Sequence, residues 1–275
     1  MKILLTGSSG WLGRHLAPLL QSRGHEVTGL DVAPGLYTRV TGSVADRDLV
    51  FQTVAHYGIE AIIHAGALHK PDIVRFPRQT FIDVNVSGTL NLLEAAVEAG
   101  HGRFLFTSTT SLMVRADVRA GAGEAGAWWM DEDFGPLEPR NIYGVTKLAA
   151  ENLCRLIARE SGMAVAILRT GRFFPEDDDT HAFPSGPNLK ANELLNRRLT
   201  VGDAARAHLA ALYDRCGWVL PEQIERVYDP AKAERLLGWR AGTNFASVLR
   251  ALREDADLPF AHDPAWVSPV LTQSP

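Results

Sequence analysis

The sequence predicts an α/β fold in which a doubly wound parallel sheet is followed by a small C-terminal cap. Up to residue 170, short apolar runs alternate with helical segments. The runs are almost continuous Val, Ile, Leu and Phe, as expected of strands that are buried on both faces. Strand–helix–strand alternation also requires parallel neighbouring strands, with helices packed on both sides of the sheet.

Apolar runs and helical periodicity give the order of the elements. Strands are expected at 2–6, 26–31, 60–66, 102–109 and 163–170, and helices at 10–24, 45–58, 80–100 and 141–162. A Pro-, Gly- and Asp-rich loop follows at 172–187, and further helices are expected near 202–214, 230–238 and 243–254. We therefore divide the chain into a first domain at 1–170 and a smaller, mostly helical region at 171–275, parts of which return to the first domain.

Composition excludes several classes of protein. The 275 residues are 46% hydrophobic, enough for a sizeable core, and the net charge of −4 does not favour nucleic acid as a partner. Cys154 and Cys216 lie far apart and match no metal-binding spacing, which indicates reduced thiols and no metal site. The N-terminus shows no signal peptide and no segment reaches the ~20 apolar residues of a membrane span, so we expect a cytoplasmic protein.

The first strand runs directly into the glycine-rich stretch TGSSGWLG. Between a strand and a helix this spacing serves a dinucleotide: Gly7 permits a tight turn, Gly10 lets a pyrophosphate approach the backbone, and Gly13 allows close helix–sheet packing. The helix N-terminus favours the negative phosphates. Asp31 ends the second strand, where a carboxylate binds a ribose hydroxyl and repels a 2′-phosphate, so the predicted cofactor is NAD. Arg39 is the nearest base that would weaken this preference for NAD over NADP.

Tyr143 and Lys147 lie four residues apart on a predicted helix, which puts both side chains on one face. A tyrosine with an ordinary pKa of about 10 is a poor acid or base at neutral pH, and a neighbouring ammonium lowers that pKa by stabilising the phenolate. The pair therefore suits proton transfer in a carbonyl–alcohol interconversion. A run of five hydroxyl residues, 107–111, ends the preceding strand at the carboxyl edge of the sheet, where a hydroxyl can bind the same substrate oxygen.

Together these motifs resemble the extended short-chain dehydrogenase/reductase family, which includes NAD-dependent nucleotide-sugar epimerases and dehydratases. The resemblance is strongest over residues 1–170 and implies a Rossmann fold whose C-terminal cap binds the substrate. It rests on seven features in chain order: TGSSGWLG, Asp31, IIHAGA, NVSGT, FLFTSTTS, YGVTK and ILRTGRFF.

The resemblance implies roles for residues at the sheet edge. Tyr143 would be the catalytic base, and Lys147 would hold the nicotinamide ribose and lower the pKa of Tyr143. Thr109 would be the catalytic hydroxyl, with Ser108 as the alternative. Asn85 would steady the loop after the fifth strand. The remaining residues implied at the NAD site are Gly7, Gly10, Trp11, Leu12, Gly13, Asp31, Ser43, Val44, Ala65, Gly66, Ala67, Thr107 and Thr170.

Departures from the family bear on the substrate. Ser43 stands where many relatives carry an Asp that holds the adenine amine. Arg172 lies in the region where UDP-galactose-type epimerases tend to have an Asn, and it would bind a phosphate or carboxylate or pair with the acidic run at 176–179. Dehydration is disfavoured because two hydroxyl residues follow Thr109 where dehydratases use an acid pair. The candidate substrate residues are Ser108, Thr110, His69, Arg172 and Arg198.

We expect a nucleotide-sugar epimerase that works by transient hydride transfer through a keto intermediate. A net NAD-dependent dehydrogenase or reductase of a sugar, uronate or small carbonyl is the alternative, and a non-catalytic dinucleotide-binding regulator is the alternative of another class. The C-terminal lobe is shorter than is usual in the family, either naturally or because residues are missing from this sequence. Pairing through the alanine-rich helical segments at 91–100 and 147–158 would give a homodimer.

Overall fold

The computed structural model describes residues 1–120, 130, 133–173, 200–212, 250 and 254, and residues 1–212 belong to one compact unit. Its strands are β1 (Lys2–Thr6), β2 (Glu26–Asp31), β3 (Thr38–Thr41), β4 (Ala61–His64), β5 (Arg103–Thr109) and β6 (Ala164–Thr170). Its α-helices are α1 (Trp11–Gln21), α2 (Arg47–Tyr57), α3 (Arg78–Ile82), α4 (Gly88–Glu98), α5 (Ala116–Ala120), α6 (Ile142–Ser161) and α7 (Val201–Leu212). The 3-10 turns span Lys70–Val74 and Thr110–Leu112.

Within the described residues, six parallel strands form one sheet in the order β3-β2-β1-β4-β5-β6. The predicted doubly wound sheet is therefore confirmed. The strand order reverses between β1 and β4, and ligands of such sheets bind beyond the carboxyl ends of the strands at this point. The apolar pattern did not reveal β3, because this short edge strand, TRVT, has a single apolar residue and is half exposed.

Helices cover both faces of the sheet. On one face α2, α4 and α6 pack side by side, and their apolar residues form a core with Leu4, Ile62, Phe104 and Phe106 of the strands. Because side chains alternate along a strand, Ile3 and Leu5 of β1 point to the opposite face. There α7 packs against α1, β5 and β6. The segment that contains α7 thus contributes to the core around the sheet, whereas the predicted helices near 230–238 and 243–254 lie outside the described residues.

The helix predicted over 80–100 is interrupted. The chain forms α3, then a π-helical turn over Asp83–Ser87, and then α4. Asn85 lies within the wide turn and its side chain is buried. At the start of α4, a Cβ on Gly88 would lie 2.5 Å from Cγ2 of Val44, so this helix approaches the chain after β3 as closely as a residue without a side chain permits.

Candidate active site

An open cleft of about 710 Å³ lies at the carboxyl edge of the sheet and is lined by the segments that follow all six strands. This volume falls within the range of about 300–1,000 Å³ typical of small-molecule sites. The predicted site residues that line the cleft are Gly7, Gly10, Trp11, Leu12, Asp31, Ser43, Val44, Ala65, Gly66, Ala67, His69, Thr107, Ser108, Thr109, Thr110, Tyr143, Lys147, Thr170 and Arg172. Gly13 and Asn85 are not part of the lining. Arg198 lies outside the described residues.

The glycine loop holds two backbone segments in contact at the wall of the cleft. Gly7 has a φ of +72°, and a Cβ there would lie 2.7 Å from the amide nitrogen of Gly66. A Cβ on Gly13 would lie 2.7 Å from Cα of Ser8, so glycine is needed for α1 to begin against the loop. Gly10 is the N-cap of α1 and makes no side-chain hydrogen bond to the first-turn N–H groups. These donors suit a phosphate.

Asp31 ties the glycine loop to the end of β2. Its Oδ2 accepts a hydrogen bond from the Ser9 amide at 3.0 Å, and its Oδ1 accepts one from the Ala33 amide at 3.0 Å. A carboxylate has about four acceptor positions, so it can accept ribose hydroxyls as well. The guanidinium of Arg39 lies 5.6 Å from the centre of the Tyr57 ring, and Arg39 is not part of the cleft lining. Arg39 therefore does not oppose the effect of Asp31 on a 2′-phosphate.

A buried chain of hydrogen bonds supports the cleft floor at Gly66. The Gly66 amide donates to Oγ1 of Thr6 at 3.0 Å, and Thr6 Oγ1 lies 2.7 Å from Nδ1 of His64. On the other side, Nε2 of His64 lies 3.0 Å from Oγ1 of Thr89, which donates to the Asn85 carbonyl at 2.7 Å. Because Thr89 donates to the backbone, its oxygen accepts from Nε2 of His64, and Nδ1 of the neutral imidazole then accepts from Thr6. Burial lowers the pKa of His64 to about 3, in agreement with this assignment.

Asn85 steadies a different loop from the one that the resemblance implied. Its Oδ1 accepts from the Leu68 amide and its Nδ2 donates to the Leu68 carbonyl, both at 2.9 Å. Leu68 follows the fourth strand of the sheet, so the expected contact with the loop after the fifth strand is wrong. A second bond from Nδ2 to Oγ1 of Thr146, at 3.1 Å, connects this loop to α6. Asn85 thus links the cleft floor to the helix that carries Tyr143 and Lys147.

Tyr143 and Thr109 meet at the cleft. Both side chains line it, and Oγ1 of Thr109 accepts from the Ser111 amide at 3.1 Å. Burial raises the pKa of Tyr143, and the neighbouring Thr109 hydroxyl opposes this effect. The expectation that Lys147 lowers the pKa of Tyr143 is therefore not met in this structure. The tyrosine is a neutral phenol at neutral pH.

Lys147 is buried beside Tyr143, and its ammonium is directed at the backbone of β5. Its Nζ donates to the Thr107 carbonyl at 2.6 Å and lies 4.1 Å from the centre of the Phe106 ring. Burial lowers the pKa of Lys147 to about 7. The Thr107 hydroxyl turns away towards α7, where it lies 2.7 Å from Nε2 of His208. Because Nδ1 of His208 is 2.7 Å from the Ala204 carbonyl, Nδ1 carries the proton and Nε2 accepts from Thr107.

Three further hydroxyl residues at the sheet edge, Ser108, Thr170 and Ser43, have partners within the protein. Ser108 donates to Oε1 of Glu151 at 2.6 Å, and Thr170 donates to the Ser108 carbonyl at 3.1 Å. Glu151 and His208 are buried residues that the sequence analysis did not identify. Ser43 accepts from the Ala45 amide at 3.1 Å and so stabilises the turn after β3. Its hydroxyl therefore supports the loop where many relatives have an Asp.

Basic side chains are more numerous than acidic ones around the cleft. Among the described residues that line it, Asp31 is the one carboxylate, whereas the cationic side chains are Arg14, Lys70, Arg140, Lys147 and Arg172. Arg14 lies over the Trp11 ring at 5.2 Å. His69 also lines the cleft, and its Nε2 is 3.8 Å from Oδ2 of Asp72. The surplus is local, since the whole chain has a net charge of −4.

Neither a metal centre nor a membrane-spanning helix is found among the described residues. Across the described residues, no group of three or more His, Cys, Asp or Glu side chains is arranged to hold a metal ion. Cys154 is a buried free thiol whose pKa is raised by burial to about 12. In the part of the chain that the structure describes, no helix has the length and apolar character needed to cross a membrane.

The fold and the cleft define a dinucleotide-binding α/β protein with a tyrosine–lysine pair at the carboxyl edge of its sheet. The chain matches the NAD dependent epimerase/dehydratase family over residues 3–215, and it belongs to that family. The resemblance to extended short-chain dehydrogenases/reductases is thereby confirmed. NAD is the cofactor of the family, which confirms at family level the cofactor predicted from the glycine loop and Asp31.

Individual relatives differ in activity. The 3 beta-hydroxysteroid dehydrogenase/Delta 5-->4-isomerase of Mycobacterium tuberculosis is 30% identical over 189 residues, covering 65% of this chain and 49% of the relative. The UDP-glucose 4-epimerase of Corynebacterium glutamicum is 30% identical over 178 residues, covering 62% of this chain and 50% of the relative. A solved short-chain dehydrogenase/reductase superfamily protein from Agrobacterium tumefaciens, with bound NAD, has 31% identity and a TM-score of 0.54 over 79% of this chain and 64% of that one. The chain spans about half the length of the first curated relatives it matches.

Proposed function

We propose that this chain is an NAD-dependent nucleotide-sugar epimerase that oxidises a secondary alcohol transiently and reduces the resulting ketone on its other face. The observation that carries the proposal is the convergence of Thr109, Tyr143 and Lys147 on the cleft into which the glycine loop also opens. These residues supply the hydroxyl, the proton carrier and the cation that an alcohol–carbonyl interconversion requires. The similarity to a UDP-glucose 4-epimerase supports this substrate class.

The residues at the glycine loop fit a dinucleotide. The uncapped first turn of α1 would bind the pyrophosphate, and Asp31 would accept hydrogen bonds from the adenosine ribose. Gly7 and Gly66 approach closely and carry no side chains, so the cofactor would lie directly against their backbone. Bound NAD would supply a hydride acceptor and donor at its nicotinamide ring. Lys147 has two further N–H groups beyond its bond to Thr107, and these would bind the nicotinamide ribose.

Tyr143 would move the proton at its phenolic oxygen. Since burial raises its pKa, the resting tyrosine holds this proton and is prepared to donate it to a carbonyl oxygen. In the oxidising direction the same oxygen must first lose its proton, and the Thr109 hydroxyl favours this change because it lowers the pKa of Tyr143. Thr109 would also bind the substrate oxygen as its carbonyl character develops.

The cationic surplus of the cleft favours an anionic substrate. One carboxylate faces five cations in the lining, and a pyrophosphate cofactor accounts for only part of this imbalance. Arg172, after β6, lines the same cleft as Tyr143, and its guanidinium would bind a second phosphate pair. A nucleoside-diphosphate sugar meets this requirement, whereas a neutral sterol does not.

A net dehydrogenase or reductase is the second candidate. The same three catalytic residues serve a reaction whose ketone leaves as product, and the hydroxysteroid dehydrogenase relative supports this outcome. Arg172 would equally bind the carboxylate of a uronate. A non-catalytic regulator is disfavoured because Tyr143 and Lys147 are both present.

The first experiment identifies the small molecules that freshly purified protein releases on denaturation. Near-stoichiometric NAD, followed by conversion of a UDP-sugar into its epimer without net NADH formation, is the expected result. One NADH per product would establish the second candidate instead, and a protein that binds no NAD would refute both. Tyr143→Phe should lower turnover by about 10²–10⁴-fold. Tyr57→Phe, a half-buried tyrosine on α2, is the matched control and should retain activity.

The homodimer and the cytoplasmic location remain proposals. Val97 on α4 and Leu156 on α6 are apolar side chains with 41% and 40% exposure, and a second copy of the chain would cover them. Light scattering at micromolar concentration should give twice the 30.0 kDa mass of the chain. Leu156→Lys should shift the population towards monomer if the helices pair.

A further inference from the structure

Glu151 is the most completely buried charged group near the proposed catalytic pair, with 0% of its surface exposed. It lies on α6 four residues after Lys147 and eight after Tyr143, which puts all three on the same face of the helix. Sequence patterns gave it no role. Its position raises the question of what a buried carboxylate does one helical turn from a buried ammonium.

The carboxylate of Glu151 is fully hydrogen-bonded. Oε1 accepts from Ser108 Oγ at 2.6 Å and from Nε of Arg169 at 2.9 Å. Oε2 accepts from a terminal nitrogen of Arg169 and one of Arg155, both at 2.8 Å. Burial works to raise the pKa of Glu151, but the hydrogen bonds from Arg169 and Ser108 and the two guanidinium charges lower it, so Glu151 is ionised.

These contacts hold the ends of two strands. Ser108 and Arg169 are directly paired residues of β5 and β6, and Glu151 fastens both of them to α6. Ser108 lies between Thr107, whose carbonyl accepts from Lys147, and Thr109, the partner of Tyr143. The Glu151 carboxylate therefore fixes the backbone segment on which both proposed catalytic side chains depend.

Glu151 also provides negative charge where Lys147 needs it. Burial lowers the pKa of Lys147, and Cys154 and Glu151 oppose this effect. Cys154 has a pKa of about 12 and is a neutral thiol near neutral pH, which leaves Glu151 as the effective anion. The titratable and charged groups around Lys147 are Tyr143, Glu151, Cys154 and Arg155 on α6, His64 on β4, Arg169 on β6 and His208 on α7. Glu151 is the one carboxylate in this set of described residues.

We propose that Glu151 is a positioning residue that holds the Thr107–Thr109 segment in place and stabilises the ammonium form of Lys147. The role of Lys147 rests on the proposed function, but the charge state of Lys147 does not, and it can be measured without turnover. A protein that fails as an epimerase can therefore still support or overturn this inference.

The test is a ¹³C NMR titration of the lysine ε-carbons in the full chain, which has only five lysines. The Lys147 resonance is assigned by its loss in Lys147→Met. Wild type should titrate with a midpoint near the pKa of about 7. In Glu151→Gln the midpoint should fall by about one pH unit, because removal of a nearby anion destabilises the ammonium. Glu160→Gln, an exposed site on the same helix, is the matched control and should leave the midpoint unchanged.

Two further variants make the test independent of whether Glu151→Gln folds. Arg155→Gln removes a half-exposed cation from the cluster and should raise the Lys147 midpoint, the opposite sign. Glu151→Asp keeps the charge and should restore most of the wild-type midpoint. An unchanged midpoint in folded Glu151→Gln, or a fall in Arg155→Gln, overturns the proposal.

Discussion

Replacing Thr6 by Val tests whether the buried chain through His64 supports the cofactor site. Valine has nearly the shape of threonine, so the change removes a hydroxyl and leaves the packing. Two groups then lose their partner: the half-buried Gly66 amide, now 3.0 Å from Thr6 Oγ1, and the buried Nδ1 of His64, now 2.7 Å from it. At about 1–3 kcal/mol for the buried imidazole nitrogen and about 1 kcal/mol for the half-buried Gly66 amide, the free energy of unfolding should fall by about 2–4 kcal/mol. For a unit of this size the melting temperature should fall by roughly 5–15 °C.

The assay combines thermal unfolding with calorimetric titration of NAD. Because Gly66 lines the cleft, the affinity for NAD should weaken by roughly tenfold, or about 1.4 kcal/mol, in addition to the loss of stability. Thr53→Val is the matched control: its buried hydroxyl donates only to the Leu49 carbonyl within α2, and its loss should cost about 1 kcal/mol or less and leave NAD binding unaffected. If Thr6→Val and Thr53→Val melt within about 2 °C of each other and bind NAD equally, the support attributed to this chain is refuted.

Three further results are expected. Asp31→Asn should reduce the preference for NAD over NADP in binding titrations, because the carboxylate that repels a 2′-phosphate is lost; an unchanged ratio would contradict its role. Gly13→Ala should abolish NAD binding, since its Cβ would lie 2.7 Å from Ser8 Cα, whereas Gly202→Ala, with only a flexible arginine end 3.4 Å away, should be tolerated. His64 is neutral when folded, with its pKa lowered to about 3, so its contribution to stability is complete above its unfolded pKa of about 6.5 and is lost as the pH falls towards 3. Urea unfolding of wild type at pH 6.5 and 5 should therefore show a loss of about 2 kcal/mol that His64→Gln lacks, and equal losses in both proteins would exclude His64 as the source.

The sequence predicted those parts of the fold that local patterns determine. β2 was predicted at 26–31 and is observed there, and the glycine at the end of α2, Gly58, takes the left-handed conformation that stops a helix. The π turn at Asp83–Ser87 was not predicted, because its residues fit a continuous helical pattern. Asn85, in this wider turn, forms hydrogen bonds with Leu68 and Thr146, which are 17 and 61 positions away in the sequence. A local sequence pattern does not reveal such distant partners.

As with the fold, the sequence predicted the parts of the candidate site that local motifs determine. Motifs and the family resemblance identified many of the residues that line the cleft, since strand ends in a parallel sheet converge on one edge. It did not identify His208, because its partner Thr107 is 101 positions away and the alanine-rich pattern of α7 predicts only a buried helix face. Glu151 was missed for the same reason: in the sequence it resembles any polar residue of an amphipathic helix.

The charge states of Tyr143 and Lys147, the proposed catalytic pair, show most clearly what motif spacing cannot predict. Four residues of helix place Tyr143 near Lys147, but the sign of a pKa shift depends on burial and on where the ammonium is directed. Here the ammonium donates to the Thr107 carbonyl, both side chains are desolvated, and the pKa of Tyr143 rises while that of Lys147 falls to about 7. The two shifts oppose the phenolate–ammonium state that proton abstraction needs. An enzyme built on this site must therefore supply compensating charge and hydrogen bonds from other residues, and Thr109 and Glu151 are the two groups in the described structure whose contacts do so.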